Sequence, residues 1–327
     1  VDMYARCGSL IEARELFDEL QTRDVVSWNA LSSRYDEHGF DEDVLQCLEH
    51  MQLEGVMPDV LTYVCGLKAC SSIGAVDKGQ KLHAEISVDG YERDSFIRGT
   101  LVDMYAKCGA LAEAHDVFDD MPGQDVVVWN ALLAGYACQG HNEVVLYLFE
   151  RMKLLDVNPN SITFLSILTV CSHAGLVRNG QKYFDMMGEE YDLPLTIEHY
   201  NCMVDLLGRA GRLEEAVAIL YEMPFQPNLV TWSTLLGACR KGGDIELARQ
   251  AFESAYKSDE KHYALFISMS RIYAGAHMWE DAKMIDAMRI ISGMEQPGAS
   301  LNMFENVSEW SGIGEKCTTS GMFMAYC

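Results

Sequence analysis

The 327 residues carry 25 Lys and Arg against 49 Asp and Glu, a formal net charge of −24, and 49% of them are hydrophobic. That apolar share supports a packed core and excludes a disordered chain, while no apolar run approaches the roughly 18 residues that cross a bilayer. Eleven cysteines, set mostly at helical positions such as Cys7, Cys70, Cys108, Cys171, Cys202 and Cys239, read as small buried thiols in a reducing compartment. Their odd number gives no disulfide framework.

The chain is periodic. Val1-Asp2-Met3-Tyr4-Ala5-Arg6-Cys7-Gly8 reappears as Val102-Asp103-Met104-Tyr105-Ala106-Lys107-Cys108-Gly109 and, more loosely, as Val204-Asp205-Leu206-Leu207-Gly208-Arg209-Ala210-Gly211. Trp28-Asn29-Ala30-Leu31 returns as Trp129-Asn130-Ala131-Leu132 and as Trp232-Ser233-Thr234-Leu235. Gly79-Gln80-Lys81 recurs as Gly180-Gln181-Lys182. Self-similarity at a fixed spacing marks a repeat architecture. Cutting ahead of each aliphatic residue that follows an acidic or amide residue gives a partial copy at 1–24 and six units at 25–59, 60–94, 95–125, 126–160, 161–196 and 197–228. Two looser copies follow at about 229–264 and 265–301, and residues 302–327 lose the period and read as an irregular tail.

Each unit reads as two helices. In 126–160, Trp129, Leu132, Leu133 and Tyr136 form one stripe at helical spacing. Gly140 interrupts it, Val144, Val145, Leu148, Phe149 and Met152 resume it, and Pro159 is expected to stop the second helix. Gly8, Gly39, Gly74, Gly109, Gly175 and Gly211 fall at the same inter-helix turn of other units. Helices this short cannot bury both stripes alone, so neighbouring units must stack. The expected fold is all-α, a right-handed superhelical α-solenoid of stacked antiparallel helix pairs. Such a solenoid offers a long lined groove rather than a single pocket.

These phrases resemble the pentatricopeptide repeats, in particular the plant PLS type, in which long, normal and short motifs alternate. The resemblance covers about residues 1–301 and rests on Val102–Gly109, on Cys171-Ser172-His173-Ala174-Gly175-Leu176-Val177 and on the run from His199 to Arg212. Residues 229–301, with Trp279-Glu280-Asp281-Ala282 and Pro297-Gly298, resemble the E extension that follows the last repeat in that type. The resemblance implies binding of single-stranded RNA in a mitochondrion or chloroplast, and a specificity role in C-to-U editing or other RNA processing. The chain opens on Val1 in mid-repeat and reads as a fragment, so any targeting peptide is expected to lie upstream of it.

In this family one base is read per repeat, through the fifth and last residues. Carried onto this chain, the reading pairs are Asn29 with Asp59, Asn130 with Asn160, and Asn201 with Asn228. An amide offers donor and acceptor, whereas a carboxylate only accepts, so Asp59 favours a base that presents N–H. The family rule agrees, giving U at the first pair and C at the other two. Val64 with Asp94 and Leu165 with Thr196 have an apolar fifth residue, which makes only non-directional contact. Gly99 with Asp125 lacks the reading side chain altogether. The aliphatic second residues, such as Val26 and Val127, either wedge against bases or pack between units.

Arg6, Lys107, Arg209 and Lys241 recur near the end of the first helix. The resemblance makes them candidates for phosphate contact. The plainer reading is a solvated helix C-terminus, where a cation offsets the dipole. The net charge opposes RNA binding, because nucleic-acid binders usually show a basic footprint. It is reconciled if the acid sits on the far face, as with Glu12, Glu15, Asp18 and Glu19, or if base contacts carry the affinity. No catalytic residue, metal ligand set, cofactor or membrane partner is expected. His83-Ala84-Glu85 matches H-x-E, but no C-x-x-C supplies the zinc thiolates of a deaminase. The chain therefore reads as a recognition factor without its own DYW deaminase domain, served by a deaminase-bearing protein in trans. The alternative is a protein-binding scaffold of tetratricopeptide type, which shares the helix-pair design and suits the acidic charge.

Overall fold

The computed structural model describes residues 10–121, 123–258 and 263–291; Arg6 and the tail from 302 lie outside them. The described regular structure consists of seventeen α-helices. The chain divides into two compact units, the first ending at Gln139 and the second beginning at Gly140. The first contains α1 (Leu10–Asp18), α2 (Val25–Glu37), α3 (Asp41–Leu53), α4 (Val60–Ile73), α5 (Val76–Val88), α6 (Ser95–Lys107), α7 (Leu111–Asp119) and α8 (Val126–Cys138). The second contains α9 (Asn142–Leu154), α10 (Ser161–Ala174), α11 (Val177–Glu189), α12 (Ile197–Arg209), α13 (Leu213–Glu222), α14 (Leu229–Gly242), α15 (Ile245–Ser258), α16 (Tyr263–Gly275) and α17 (Trp279–Ile291).

First helices (α2, α4 and so on) and second helices begin by different means. The first helices α2, α4, α6, α8, α10, α12 and α14 carry Asp24, Asp59, Asp94, Asp125, Asn160, Thr196 and Asn228 at the N-cap. These are residues whose side-chain oxygens can satisfy the orphan N–H groups of a first turn. Second helices start on Phe40, Ala75, Ala110, Leu176 and Arg212 without a side-chain cap. Their entry is set by the turn before them. Gly39, Gly74, Gly109, Gly175 and Gly211 lie at φ of +67° to +82°. The next N–H closes on Tyr35, Cys70, Tyr105, Cys171 and Leu207 carbonyls, each at 2.9 Å. That is the six-to-one bond of a helix terminated by a left-handed residue.

One expected terminator is displaced. α9 ends at Leu154, five residues before Pro159. The stop is a left-handed Asp156 (φ 59°), with the Val157 N–H bonded to the Met152 carbonyl at 3.1 Å. Pro159 is buried just ahead of the Asn160 cap.

Within each unit the first helices pack directly on one another, α2 on α4, α4 on α6 and α6 on α8, then α10 on α12 and α12 on α14. Second helices make their main contacts with first helices, of their own pair and the next. The result is two layers with a core between them. Phe17 meets Trp28 edge-on at 4.5 Å, and Phe118 meets Trp129 in the same way at 4.7 Å. Both tryptophans are fully buried, each side chain contributing about 2–3 kcal/mol by area.

Small residues set the helix spacing. A Cβ on Gly208 of α12 would lie 2.3 Å from the Ala238 Cβ of α14. The repeated Gly-Gln-Lys phrase has a similar cause: a Cβ on Gly79 or Gly180 would strike Met104 at 2.5 Å or Leu206 at 2.2 Å. Cys47, Cys65, Cys70, Cys171, Cys202 and Cys239 are buried, Cys108 is half-buried and Cys138 is exposed. Burial pushes the Cys171, Cys202 and Cys239 thiols up to about 12, which keeps them protonated and inert.

Candidate nucleic-acid interface

The last residue of each repeat is the N-cap of the next repeat's first helix, and at Asp59 this brings it against Asn29, the fifth residue of its own repeat. The Asn29 Nδ2 donates to both oxygens of Asp59, at 2.9 and 3.0 Å. Asp59 also accepts the Thr62 N–H at 3.0 Å, and the Asp59 N–H donates back to the Thr62 hydroxyl oxygen at 3.2 Å. This is a capping box built into a cross-repeat pair. The Thr62 hydroxyl donates to the Asn29 Oδ1 at 2.7 Å. Burial alone would raise the Asp59 pKa. The hydrogen bonds from Thr62 and Asn29 outweigh it and hold the carboxyl below its ordinary range, so it is ionised at neutral pH.

Asn201 and Asn228 repeat the plan with an amide cap. Asn228 Oδ1 accepts the Thr231 N–H at 3.0 Å, and the Thr231 hydroxyl donates to Asn201 Oδ1 at 2.7 Å. The Asn201 Nδ2 has no hydrogen-bond partner and is sealed from solvent. Asn130 and Asn160 lie in different units; Asn160 caps α10 through the Ile162 and Thr163 N–H groups, both at 3.1 Å.

The fifth-position amides are less open than a groove-facing reading implies: Asn29 is 6% exposed and Asn201 1%. Both are closed off from solvent by their surroundings. An N–H left unpaired at such depth costs about 1–3 kcal/mol. The pairs are chemically distinct. Asn29/Asp59 already uses its NH2 internally and exposes carboxylate lone pairs, which suits a base N–H. Asn201/Asn228 retains NH2 groups, which suits a base acceptor such as cytosine N3.

The other positions differ as their chemistry requires. Val64 is buried, and Asp94 caps the Phe96 and Ile97 N–H groups. Gly99 leaves space that Val128 occupies, since a Cβ there would lie 3.2 Å from Val128 Cγ2; Asp125 caps α8. Leu165 is half-buried, and the Thr196 N–H donates to the Nδ1 of buried His199 at 3.1 Å. The capping role of all these last residues was missed in the sequence reading. Its signal was present as Asp59-x-x-Thr62, Asn160-x-x-Thr163 and Asn228-x-x-Thr231.

Second residues are exposed rather than packed between units: Val26 is 69% exposed and Val127 68%, with Leu61, Phe96 and Ile162 also open. The second residue of 197–228 departs from this pattern, being the half-buried Glu198. Lys107 pairs with Asp103 at 3.1 Å and Arg209 with Asp205 at 3.0 Å, both one turn back along the helix. Lys241 is exposed in the last turn of α14.

Charge divides by layer. The first helices carry Arg34, Lys68, Arg98, Lys107, Arg209, Arg240, Lys241 and Arg271 against Asp36, Glu37, Asp103, Glu198 and Asp205. The second helices carry twenty-four Asp and Glu against eleven Lys and Arg. The capping carboxylates Asp24, Asp59, Asp94 and Asp125 add negative charge at first-helix N-termini, where the helix dipole offsets it. Among the helices the acid excess therefore lies in the second-helix layer, while the remainder of the net charge of −24 lies outside the helices. His83 of the H-x-E tripeptide bonds the Tyr105 hydroxyl through Nδ1 at 3.0 Å, and Glu85 accepts from Gln52 at 2.9 Å. Among the described residues no group of three or more His, Cys, Asp or Glu could hold a metal.

A stack of helix pairs in which the last residue of one repeat caps the first helix of the next defines a helical-repeat protein. Sequence models of the PPR repeat match residues 1–25, 97–126, 162–191, 198–225 and 230–256, and one of the PPR repeat family matches 124–173. A mitochondrial pentatricopeptide repeat-containing protein of Arabidopsis thaliana is 36% identical over 317 residues, 96% of this chain and 48% of its own length. The chloroplastic protein DOT4 of the same plant is 37% identical over 281 residues, 86% of this chain and 32% of its own. The crystal structure of maize PPR10 superposes with a TM-score of 0.65 at 21% identity, over 89% of this chain and 43% of that one. The chain belongs to the pentatricopeptide repeat family. It spans between about a third and a half of the length of these relatives.

Proposed function

We propose that this chain binds single-stranded RNA in register, one base per repeat. It would take U at the Asn29/Asp59 pair and C at the Asn130/Asn160 and Asn201/Asn228 pairs. The observation that carries the proposal is the polarisation of these positions, acceptor-rich where Asp59 takes the Asn29 NH2 and donor-rich at Asn201, whose oxygen is taken by Thr231 and whose NH2 is left over. The Val64/Asp94, Gly99/Asp125 and Leu165/Thr196 positions then accept any base. Exposed Val26 and Val127 support base faces, and Lys107, Arg209 and Lys241 approach phosphates. The less acidic first-helix layer admits a polyanion that the second-helix layer would repel. Maize PPR10 has itself been crystallised in complex with an 18-nt psaJ RNA element.

The alternation of unit lengths supports a PLS organisation with an E-type extension at 229–301. On that reading the chain is a specificity factor for C-to-U editing or other RNA processing and leaves the chemistry to a deaminase-bearing protein in trans. The mitochondrial and chloroplastic relatives support an organellar setting. The test is fluorescence anisotropy at low salt with short labelled RNAs. One carries U-N-N-C-N-C, others have the U or either C exchanged, and a DNA version serves as comparison. Preference for the matched RNA at all three fixed positions supports the proposal. Equal binding of all sequences overturns it.

A further inference from the structure

The third residue of each repeat follows the fifth residue of the repeat before it. Asn29, Asn130 and Asn201 are followed by Thr62, Thr163 and Thr231, whereas Val64, Gly99 and Leu165 are followed by Ile97, Val128 and His199. Thr62 and Thr231 are buried, and each reaches back to the amide oxygen of the preceding asparagine at 2.7 Å. A threonine hydroxyl has one proton. That of Thr231 goes to the nearer oxygen, Asn201 Oδ1 at 2.7 Å, rather than Asn228 Oδ1 at 3.0 Å. The bond decides which end of a near-symmetric amide is committed to the protein and which is left over. What is left over at Asn201 is a buried NH2 without a partner.

We propose that the Thr231 hydroxyl is a specificity-positioning residue: it commits the Asn201 amide oxygen to the protein and leaves its NH2 as the end still able to bond, so that the repeat 197–228 selects an acceptor at base N3, which C presents and U does not. The inference rests on the RNA-reading proposal above. At the first pair the same hydroxyl is redundant. The Asp59 carboxylate accepts the Asn29 NH2 through both oxygens, and no rotation of that amide could place its oxygen there without repulsion. The two threonines therefore have equivalent places in the helix cap and unequal roles in selectivity.

The experiment compares Thr231→Val, Thr231→Ser and Thr62→Val, reading the C-over-U affinity ratio at the matched position rather than affinity itself. A ratio does not change if part of a variant is unfolded. Thr231→Val is expected to lower the ratio about fivefold, equal to about 1 kcal/mol at 1.36 kcal/mol per tenfold. Thr231→Ser keeps it, and Thr62→Val leaves the U preference of its own repeat within about twofold despite the same loss from the cap. A Thr231→Val protein with unchanged selectivity overturns the proposal, as does a Thr231→Ser protein that loses as much.

A second arm needs no RNA. Thr231→Val and Asn201→Ala are combined in a double-mutant cycle of urea unfolding. Non-additive effects are expected if the hydroxyl bonds the amide, and additive ones sink the proposal whatever the RNA data show. Coupling in the cycle, with no base discrimination by the unaltered protein, would instead defeat the RNA reading and leave Thr231 a purely structural residue.

Discussion

Replacing Asp59 with Asn converts the first pair into the chemistry of the third while leaving the helix cap in place. Asn228 already caps α14 through the same box, so the backbone accepts the change. Asparagine and aspartate are near-equal N-caps, and losing the charge costs about 0.3–1 kcal/mol at the helix dipole. The effect on the pair is larger. The carboxylate accepts the Asn29 NH2 at 2.9 and 3.0 Å and the Thr62 N–H at 3.0 Å. An amide in its place can keep the cap bond but turns an NH2 toward the base. Uracil N3–H then faces a donor, a mismatch costing about 1–3 kcal/mol, while cytosine N3 gains a bond of about 0.5–1.5 kcal/mol. Together these amount to about 1.5–4.5 kcal/mol, so the U-to-C affinity ratio at this position should fall by at least about tenfold, and by up to about 1,000-fold, with the other positions unchanged. Anisotropy titrations with two RNAs differing only at that base provide the assay. An undiminished U preference in Asp59→Asn, or an equal loss at every position, would refute the reasoning.

Other consequences can be checked with the same protein. Gly208→Ala should destabilise by about 1–3 kcal/mol, because its Cβ would meet the immovable Ala238 Cβ at 2.3 Å. Gly237→Ala, with open space around its Cβ, should stabilise by about 0.5–1 kcal/mol; urea midpoints distinguish them. Burial holds buried His199 below its ordinary pKa, although the Ser161 carbonyl accepts its Nε2–H and pulls the other way. A histidine whose folded pKa is depressed is protonated first in the unfolded chain. Its contribution is therefore complete above about pH 6.5 and lost as pH falls below it. Melting temperature should drop between pH 7.5 and 5.5, in the direction that burial of His83 and His173 also gives, and His199→Asn should flatten the dependence. For phosphate contacts, Lys241→Ala should reduce the slope of log K against log salt by about 0.7, and Asp103→Asn, which frees Lys107 from its 3.1 Å pair, should steepen it. Unchanged slopes in both would remove these lysines from the interface.

The helical pairs were legible because burial leaves a period in the sequence. Trp129, Leu132, Leu133, Leu148, Phe149 and Met152 are fully buried and lie where the stripe puts them. Helix endings were less legible. Pro159 is a conspicuous breaker, yet a left-handed Asp156 ends α9 first, and nothing in the identity of an aspartate announces that conformation. The candidate pairs were visible as matched amides and acids, but their depth was not. A helical wheel shows the face on which Asn29 lies; it does not show that the cap of the next repeat closes over it. The same blindness hid Thr62 and Thr231, whose sequence signal is a capping box and whose hydroxyls cross to another repeat. The division of charge follows the helix boundaries, since second helices carry an excess of acid and first helices do not.

The central claim is that this chain reads an RNA strand through its three polar pairs. The most direct measurement is selection from a pool of single-stranded RNA randomised over about ten positions, bound at low salt and sequenced. Enrichment of U, two unspecified bases, C, one unspecified base and C, from 5′ to 3′, is the predicted result. A folded, helical protein that enriches no sequence, or whose enriched positions do not follow that spacing, would contradict it.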